Sequence, residues 1–170
     1  MPLVVPASSA RPNNLTVDIA DYKVSADPSA VLVTYALGSC IGVLVHDPVR
    51  RIGGLIHFML PLSSANPQKA RLRPAMFADT GVPALFESLY ALGARKEDLV
   101  VRAAGGSNLH DTQGMFNIGK RNYTVLRKLL WKNHILIASE DVGGCRSRTV
   151  RLYVGSGEAT VSSQGQEVPL

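Results

Sequence analysis

The stretch CIGVLVHDPVRRIGGLIHFML, residues 40–60, contains two apolar segments on either side of a short polar turn. Both segments are rich in the branched side chains that suit strands, and Pro48 fixes the backbone angle of the turn between them. The stretch therefore predicts a β-hairpin with strands at 40–47 and 52–60. The register of this hairpin decides which side chains of the two strands share one face.

The pattern on either side of the hairpin predicts an α+β fold. Apolar residues at helical spacing predict one helix at 79–93, capped by Asp79 or Thr80, and a second helix capped by Asn117. Apolar and β-branched runs predict strands at 14–25, 30–37, 98–106, 134–141, 148–155 and 158–162. This order favours a mixed, largely antiparallel β-sheet or sandwich core covered by two main helices.

The chain length of 170 residues suits one domain with one hydrophobic core. We expect a flexible leader at 1–14, a single folded domain at 15–162 and a flexible tail at 163–170. The segment PLSSANPQKARLRP, 61–74, contains three prolines and shows no periodicity, which predicts a mobile loop.

Composition argues against several classes of function. The net charge is only +5 and aromatic residues make up 6% of the chain, so we expect no nucleic-acid partner. No apolar run approaches the roughly 18–20 residues of a membrane helix, which predicts no membrane insertion. The N-terminus has no basic start followed by a long apolar core, so it predicts no signal peptide and a cytoplasmic location.

The two cysteines, Cys40 and Cys145, are too few for a disulfide framework, and we expect both to be free thiols. A zinc site built from Cys40, His46, His57 and Cys145 lacks the close ligand spacing of known sites, so we expect no metal. Cys145 lies beside Arg146, which makes a second reactive thiol an alternative to the passive thiol that we favour.

Cys40 is either a buried structural thiol or a nucleophile with a histidine as its base. If Asp47 and Arg50 bracket a two-residue loop, paired residue numbers sum to 97 and Cys40 lies directly opposite His57. A loop one residue longer would place the two side chains on opposite faces. His46 lies on the same strand as Cys40, roughly 20 Å away, and cannot be its base.

A nucleophile also needs hydrogen-bond donors for the oxyanion, and its base needs an orienting partner. The sequence Gly38-Ser39-Cys40 predicts a tight turn whose backbone N–H groups at Ser39 and Cys40 can face a substrate oxygen. Thr34, near the end of the preceding strand, can offer its hydroxyl to the histidine, although a strand threonine is more often structural.

Five motifs together resemble the chemoreceptor glutamine deamidase family, CheD, over residues 17–161. They are TYALGSCIGVLVHDP (34–48), GGLIHFMLP (53–61), RAAGGSNL (102–109), IGKRN (118–122) and VGG (142–144) followed by an arginine. The pairing of the LGSC block with GG-x-x-H-x-MLP is the most specific part of the resemblance. The chain departs from the usual family pattern at the glycine turn, which reads GGSNL rather than GGA followed by methionine.

The resemblance implies that Cys40 is the nucleophile, His57 the base and Thr34 the third member of the site. It implies hydrolysis of selected glutamine side-chain amides in the cytoplasmic domain of chemoreceptors, through a thioester and without a cofactor. Some members of the family act on glutamyl methyl esters as well. Members also often pair with a CheC-type phosphatase, which is therefore a possible second partner.

Two other functions compete with this hypothesis. The first is a catalytically silent regulator that binds a chemotaxis phosphatase or a receptor, and the second is a cysteine hydrolase with a different substrate. A phosphate-binding role for AAGGSN, 103–108, lacks the spacing and the lysine of a P-loop.

Overall fold

The computed structural model describes residues 11–109 and 113–170 of the chain. It contains two five-stranded sheets, packed face to face, and three α-helices. The prediction of an α+β fold with a largely antiparallel sandwich core and two main covering helices is confirmed.

The strands are β1 (Asn13–Thr16), β2 (Asp21–Ser25), β3 (Ala30–Leu37), β4 (Ile41–Asp47), β5 (Ile52–Phe58), β6 (Val100–Gly105), β7 (Ile137–Val142), β8 (Arg148–Tyr153), β9 (Ala159–Ser163) and β10 (Gln166–Pro169). The α-helices are α1 (Pro67–Leu72), α2 (Ala78–Ala91) and α3 (Ile118–Lys132). The first sheet has the order β1-β3-β8-β9-β10 and the second the order β2-β5-β4-β6-β7. Within the described residues, only the β1–β3 and β6–β7 pairings are parallel.

Two apolar clusters separate the fold into three layers. One cluster, which includes Leu44, Leu55 and Val150, fills the space between the two sheets. The other includes Ile56 and Leu126, and it joins the opposite face of the second sheet to α2 and α3. Because side chains alternate along a strand, the residues on either side of Ile56 face the first sheet, and His57 is one of them.

The hairpin differs from its predicted register by two residues. Gly42, not Cys40, lies directly opposite His57. The numbers of paired residues in β4 and β5 sum to 99 rather than the predicted 97. The turn has four residues, 48–51, because the Asp47 carboxylate accepts hydrogen bonds from the backbone N–H groups of Val49 and Arg50. A shift of two preserves the faces of the strands, so Cys40 remains on the His57 side of the hairpin.

The segment 61–74, predicted to be a mobile loop, instead contains two short 3-10 turns and α1. Asn66 caps α1 by accepting a hydrogen bond from the Lys69 N–H, and Pro67 occupies the first helical position. The Ser63 backbone N–H and hydroxyl both donate to the carboxylate of Asp79, which ties this segment to α2. The sequence pattern did not predict these helical turns, because each one is too short to show a helical repeat of apolar residues.

The predicted caps and chain ends also differ in part from the structure. The N-cap of α2 is Phe77, rather than the predicted Asp79 or Thr80. Asp79 lies in the first turn of the helix, and the Thr80 hydroxyl donates to the backbone carbonyl of Pro74. Asn117 occupies the N-cap position of α3, but in a left-handed backbone conformation and without the predicted side-chain cap hydrogen bond. β1 begins at Asn13, inside the predicted leader, whereas residues 1–10 lie outside the described residues. β10 lies inside the predicted tail and pairs with β9.

Candidate active site

His57 on β5 and Thr34 on β3 meet between the two sheets, where both side chains are buried. The Thr34 Oγ1 lies 2.6 Å from the carbonyl oxygen of Val17 and 2.8 Å from Nδ1 of His57. A carbonyl can only accept, so the single hydroxyl hydrogen of Thr34 goes to Val17, and Oγ1 accepts from Nδ1–H. This network assigns the proton of neutral His57 to Nδ1 and leaves Nε2 as an acceptor.

The Nε2 atom of His57 is buried and has no hydrogen-bond partner within the described part of the chain. Burial lowers the pKa of His57 from 6.5 to about 4, an effect that the nearby carboxylate of Asp18 partly opposes. At neutral pH the ring is therefore uncharged, with an unprotonated nitrogen available to take a proton.

The depressed pKa of His57 predicts a loss of stability in acid. The unfolded chain binds the proton below pH 6.5 and the folded chain only near pH 4, so stability falls as the pH drops through this window. We expect His57 to contribute a loss of about 3 kcal/mol between pH 7 and pH 4. Urea unfolding across this range, with His57→Gln as the control, should show a shallower pH dependence in the variant. If the free energy of unfolding varied with pH equally in wild type and His57→Gln, His57 would not be a buried neutral histidine.

Cys40 directly precedes β4 and packs, partly buried, against the cluster between the sheets. In this register it occupies the position diagonal to His57, a separation of about 7 Å between Cβ atoms in an antiparallel pair. Gly42 lies directly across from His57 and has no side chain to separate the two groups. Burial raises the pKa of the Cys40 thiol, and its own backbone N–H partly opposes this effect. The resting pair is therefore a neutral thiol and a neutral imidazole.

The turn that carries Cys40 is held against the loop after β6. The N–H of Gly106 donates to the carbonyl of Cys40 and the N–H of Ser107 donates to the carbonyl of Gly38, both at 2.8 Å. Glycine is required at residue 105, because a Cβ there would lie 2.2 Å from the carbonyl oxygen of Cys40. In residues 11–109 and 113–170, no backbone carbonyl accepts from the N–H of Ser39 or Cys40.

A cavity of about 200 Å³ adjoins this turn. Its lining residues are Ser39, Ser107, Asn108, Leu109, Phe116, Ile118 and Gly119. The Ser107 hydroxyl is buried and lacks a hydrogen-bond partner among the described residues. The cavity therefore lies beside the turn of Cys40, between the loop after β6 and the start of α3.

The other sequence candidates lie elsewhere or have structural roles. His46 is buried and its Nε2 lies 2.8 Å from the carbonyl oxygen of Val154, and His134 is exposed just beyond α3. His110 lies outside the described residues. Cys145 is a free, exposed thiol in a turn whose Gly144 carbonyl accepts from the backbone of the loop after β6. Of the residues that the structure describes, no three metal-ligating side chains form a cluster.

No individual role was predicted from the sequence for Asn122 of α3, the last residue of the motif IGKRN. It is fully buried, and its side-chain amide contacts the carbonyl oxygens of Ser39 and Met59. The available signal was a polar residue on the apolar face of a helix, four residues before Leu126.

A thiol, an imidazole with a free nitrogen and an orienting hydroxyl are the groups that a cysteine hydrolase requires. The family model described as CheD chemotactic sensory transduction matches residues 59–163. The chain is 51% identical over 156 residues to a probable chemoreceptor glutamine deamidase CheD 2 of Anaeromyxobacter dehalogenans, covering 92% of this chain and 98% of that protein. The protein belongs to the CheD family.

Two further relatives support this assignment. A probable chemoreceptor glutamine deamidase CheD of Solibacter usitatus is 50% identical, with 92% of each chain covered. The chemoreceptor glutamine deamidase CheD of Thermotoga maritima is 38% identical, with 88% of this chain and 91% of that protein covered. Among the described residues, none of the helices has the length and apolarity that a membrane crossing requires.

Proposed function

We propose that this protein is a protein-glutamine deamidase that hydrolyses side-chain amides of chemoreceptor glutamines to glutamate and ammonia. The observation that carries the proposal is the hydrogen bond from His57 to Thr34, which leaves Nε2 unprotonated on the face that Cys40 shares. The names of the relatives support the same substrate.

In the first half of the proposed reaction, Nε2 of His57 takes the proton of Cys40 as Sγ attacks the amide carbon of glutamine. The N–H groups of Ser39 and Cys40 hold the resulting oxyanion. The carbon–nitrogen bond then breaks, and the imidazolium gives its proton to the departing nitrogen, which leaves as ammonia. A thioester between Cys40 and the receptor remains.

In the second half, Nε2 takes a proton from water as the water oxygen attacks the thioester carbon. The carbon–sulfur bond breaks, the thiolate recovers the proton, and glutamate is released. Thr34 accepts from Nδ1–H throughout, and the nearby Asp18 carboxylate favours the imidazolium that forms in each half. The chemistry uses only the side chains and backbone of this chain, so the proposal needs no cofactor.

The proposed substrate is the cytoplasmic domain of a chemoreceptor, which places the protein in the cytoplasm. A CheC-type phosphatase is the proposed second partner. Glutamyl methyl esters can pass through the same thioester, because they present the same carbonyl carbon to Cys40 and release methanol in place of ammonia.

The experiment is peptide mass spectrometry of a glutamine-bearing chemoreceptor cytoplasmic fragment, incubated with and without the protein. We expect an amide-to-acid mass gain at defined glutamines and release of ammonia in equal amount. Binding of the fragment without any mass gain would favour the silent regulator instead. If the fragment shows neither binding nor a mass gain, a cysteine hydrolase of another substrate class is the hypothesis that remains.

Thr34→Val tests the orienting role of the hydroxyl. Valine matches threonine in shape but leaves Nδ1–H of His57 and the carbonyl of Val17 without a partner. We expect kcat for deamidation to fall roughly 10- to 100-fold with little change in KM, because the imidazole loses its fixed tautomer. Thr34→Ser, which keeps the hydroxyl, is the matched control. Equal activity in both variants would show that the hydrogen bond is structural.

A further inference from the structure

Asn122 is a fully buried amide on the face of α3 that packs against the second sheet. Its buried helical neighbours Leu126 and Leu130 are apolar, and Gly119 has no side chain. Burying an amide in such surroundings costs free energy unless it makes hydrogen bonds. The bonds that Asn122 makes therefore indicate why the position is polar.

Its Nδ2 lies 3.0 Å from the carbonyl oxygen of Ser39 and 2.8 Å from that of Met59. Two carbonyl acceptors require the NH₂ end of the amide, which fixes the orientation of the side chain. Ser39 directly precedes Cys40, and Met59 follows β5 two residues after His57. One side chain thus joins the turn that carries the thiol to the end of the strand that carries the imidazole.

The bond to Ser39 also determines the direction of a backbone donor. In a trans peptide the C=O of one residue and the N–H of the next point in opposite directions. The carbonyls on either side of Ser39 are also fixed. That of Cys40 accepts from the N–H of Gly106, and that of Gly38 accepts from the N–H of Ser107. Anchoring the carbonyl of Ser39 from α3 therefore aims the N–H of Cys40 away from α3.

The other end of the Asn122 amide is not used for stability. Its Oδ1 is buried and has no hydrogen-bond partner among the described residues. Buried side-chain acceptors without a partner are uncommon in folded proteins, and each calls for an explanation. An asparagine that served only to pack α3 would be satisfied at both ends or replaced by an apolar residue.

We infer that Asn122 is a positioning residue for catalysis. It holds the Ser39 carbonyl so that the N–H of Cys40 faces the oxyanion. This inference rests on the proposed deamidase function. It adds a residue of α3 to a site otherwise built from the sheets and their loops.

The test is Asn122→Leu, which keeps a similar volume but removes both donors. Three measurements are made: kcat and KM for deamidation of the receptor fragment, alkylation of Cys40 by N-ethylmaleimide, and thermal unfolding. Alkylation needs the Cys40 thiol but no oxyanion donor. A variant that loses only the direction of the Cys40 N–H therefore keeps its alkylation rate, whereas a variant with a disrupted site does not. Leu130→Ala, which destabilises the same helix away from the turn, is the matched control.

We expect kcat to fall about 100-fold in Asn122→Leu, the effect of losing one oxyanion donor, while KM and the alkylation rate change less than about threefold. Leu130→Ala should retain its kcat at temperatures where it is folded. If Asn122→Leu does not fold, Asn122→Ala, which removes the amide without adding bulk or charge, is measured in its place, with the same expectation. A kcat near that of wild type, or a matching fall in alkylation, would overturn the inference. A wild-type protein without deamidase activity would overturn the proposed function itself.

Discussion

Replacing Cys40 with alanine should lower kcat/KM for deamidation by about 10⁴-fold or more, because the variant lacks the sulfur atom of the proposed thioester. The side chain is small and only partly buried, so the fold should tolerate the change with a cost below about 1.5 kcal/mol. The measurement is the initial rate of glutamate formation in the receptor fragment, with circular dichroism to verify the fold.

Cys145→Ala is the matched control for this prediction. It removes the other thiol of the chain, which is exposed and lies in a turn beside the loop after β6. We expect its rate to stay within about threefold of wild type, the range expected for a surface substitution outside the reacting groups. A large loss in Cys145→Ala together with an active Cys40→Ala would reassign the nucleophile.

Replacing His57 with glutamine should lower kcat by about 10³-fold, the contribution of a well-placed general base. Glutamine can still donate a hydrogen bond toward Thr34 but cannot accept the thiol proton and return it to the leaving nitrogen. Alkylation of Cys40 by N-ethylmaleimide should also slow, because the raised pKa of the thiol leaves it protonated without a base.

The pH profile of the wild-type protein provides the accompanying test. Because burial lowers the pKa of His57 to about 4, the unprotonated base persists well below the usual 6.5. We expect kcat/KM to be level from neutral pH down to about pH 5.5 and to fall to half near pH 4. Circular dichroism at each pH separates this loss from acid unfolding. A midpoint near 6.5 would show that His57 is solvated or ion-paired in the active protein.

The sequence predicted the hairpin and the shared face of Cys40 and His57, but not their register. The apolar alternation of 40–47 and 52–60 specifies the strands, whereas the length of the turn depends on the Asp47 side chain. That carboxylate closes a four-residue turn, which no pattern of hydrophobicity reveals. Cys40 and His57 still share one face of the hairpin, because the predicted register differs from the observed one by an even number of residues.

Other parts of the site depend on contacts between residues far apart in the chain. The hairpin geometry and the family resemblance both favoured His57 as the base, and the resemblance favoured Thr34 as its partner. The direction of their hydrogen bond required the position of the Val17 carbonyl. Asn122 is part of the motif IGKRN but received no role, because its two partners, Ser39 and Met59, lie more than 60 residues away. Long-range polar contacts of this kind leave no periodic signal in the sequence.

The proposed function depends on the attack of Cys40 on the side chain of a receptor glutamine. The most direct measurement replaces the target glutamine of a receptor peptide with 6-diazo-5-oxonorleucine, whose diazo carbon alkylates an attacking thiol with loss of nitrogen gas. Peptide mapping by mass spectrometry then locates the adduct. We expect one adduct on Cys40, none on Cys145, and slower labelling in His57→Gln. Labelling of Cys145, or equally fast labelling of Cys40 in His57→Gln, would rule out Cys40 as a nucleophile with His57 as its base.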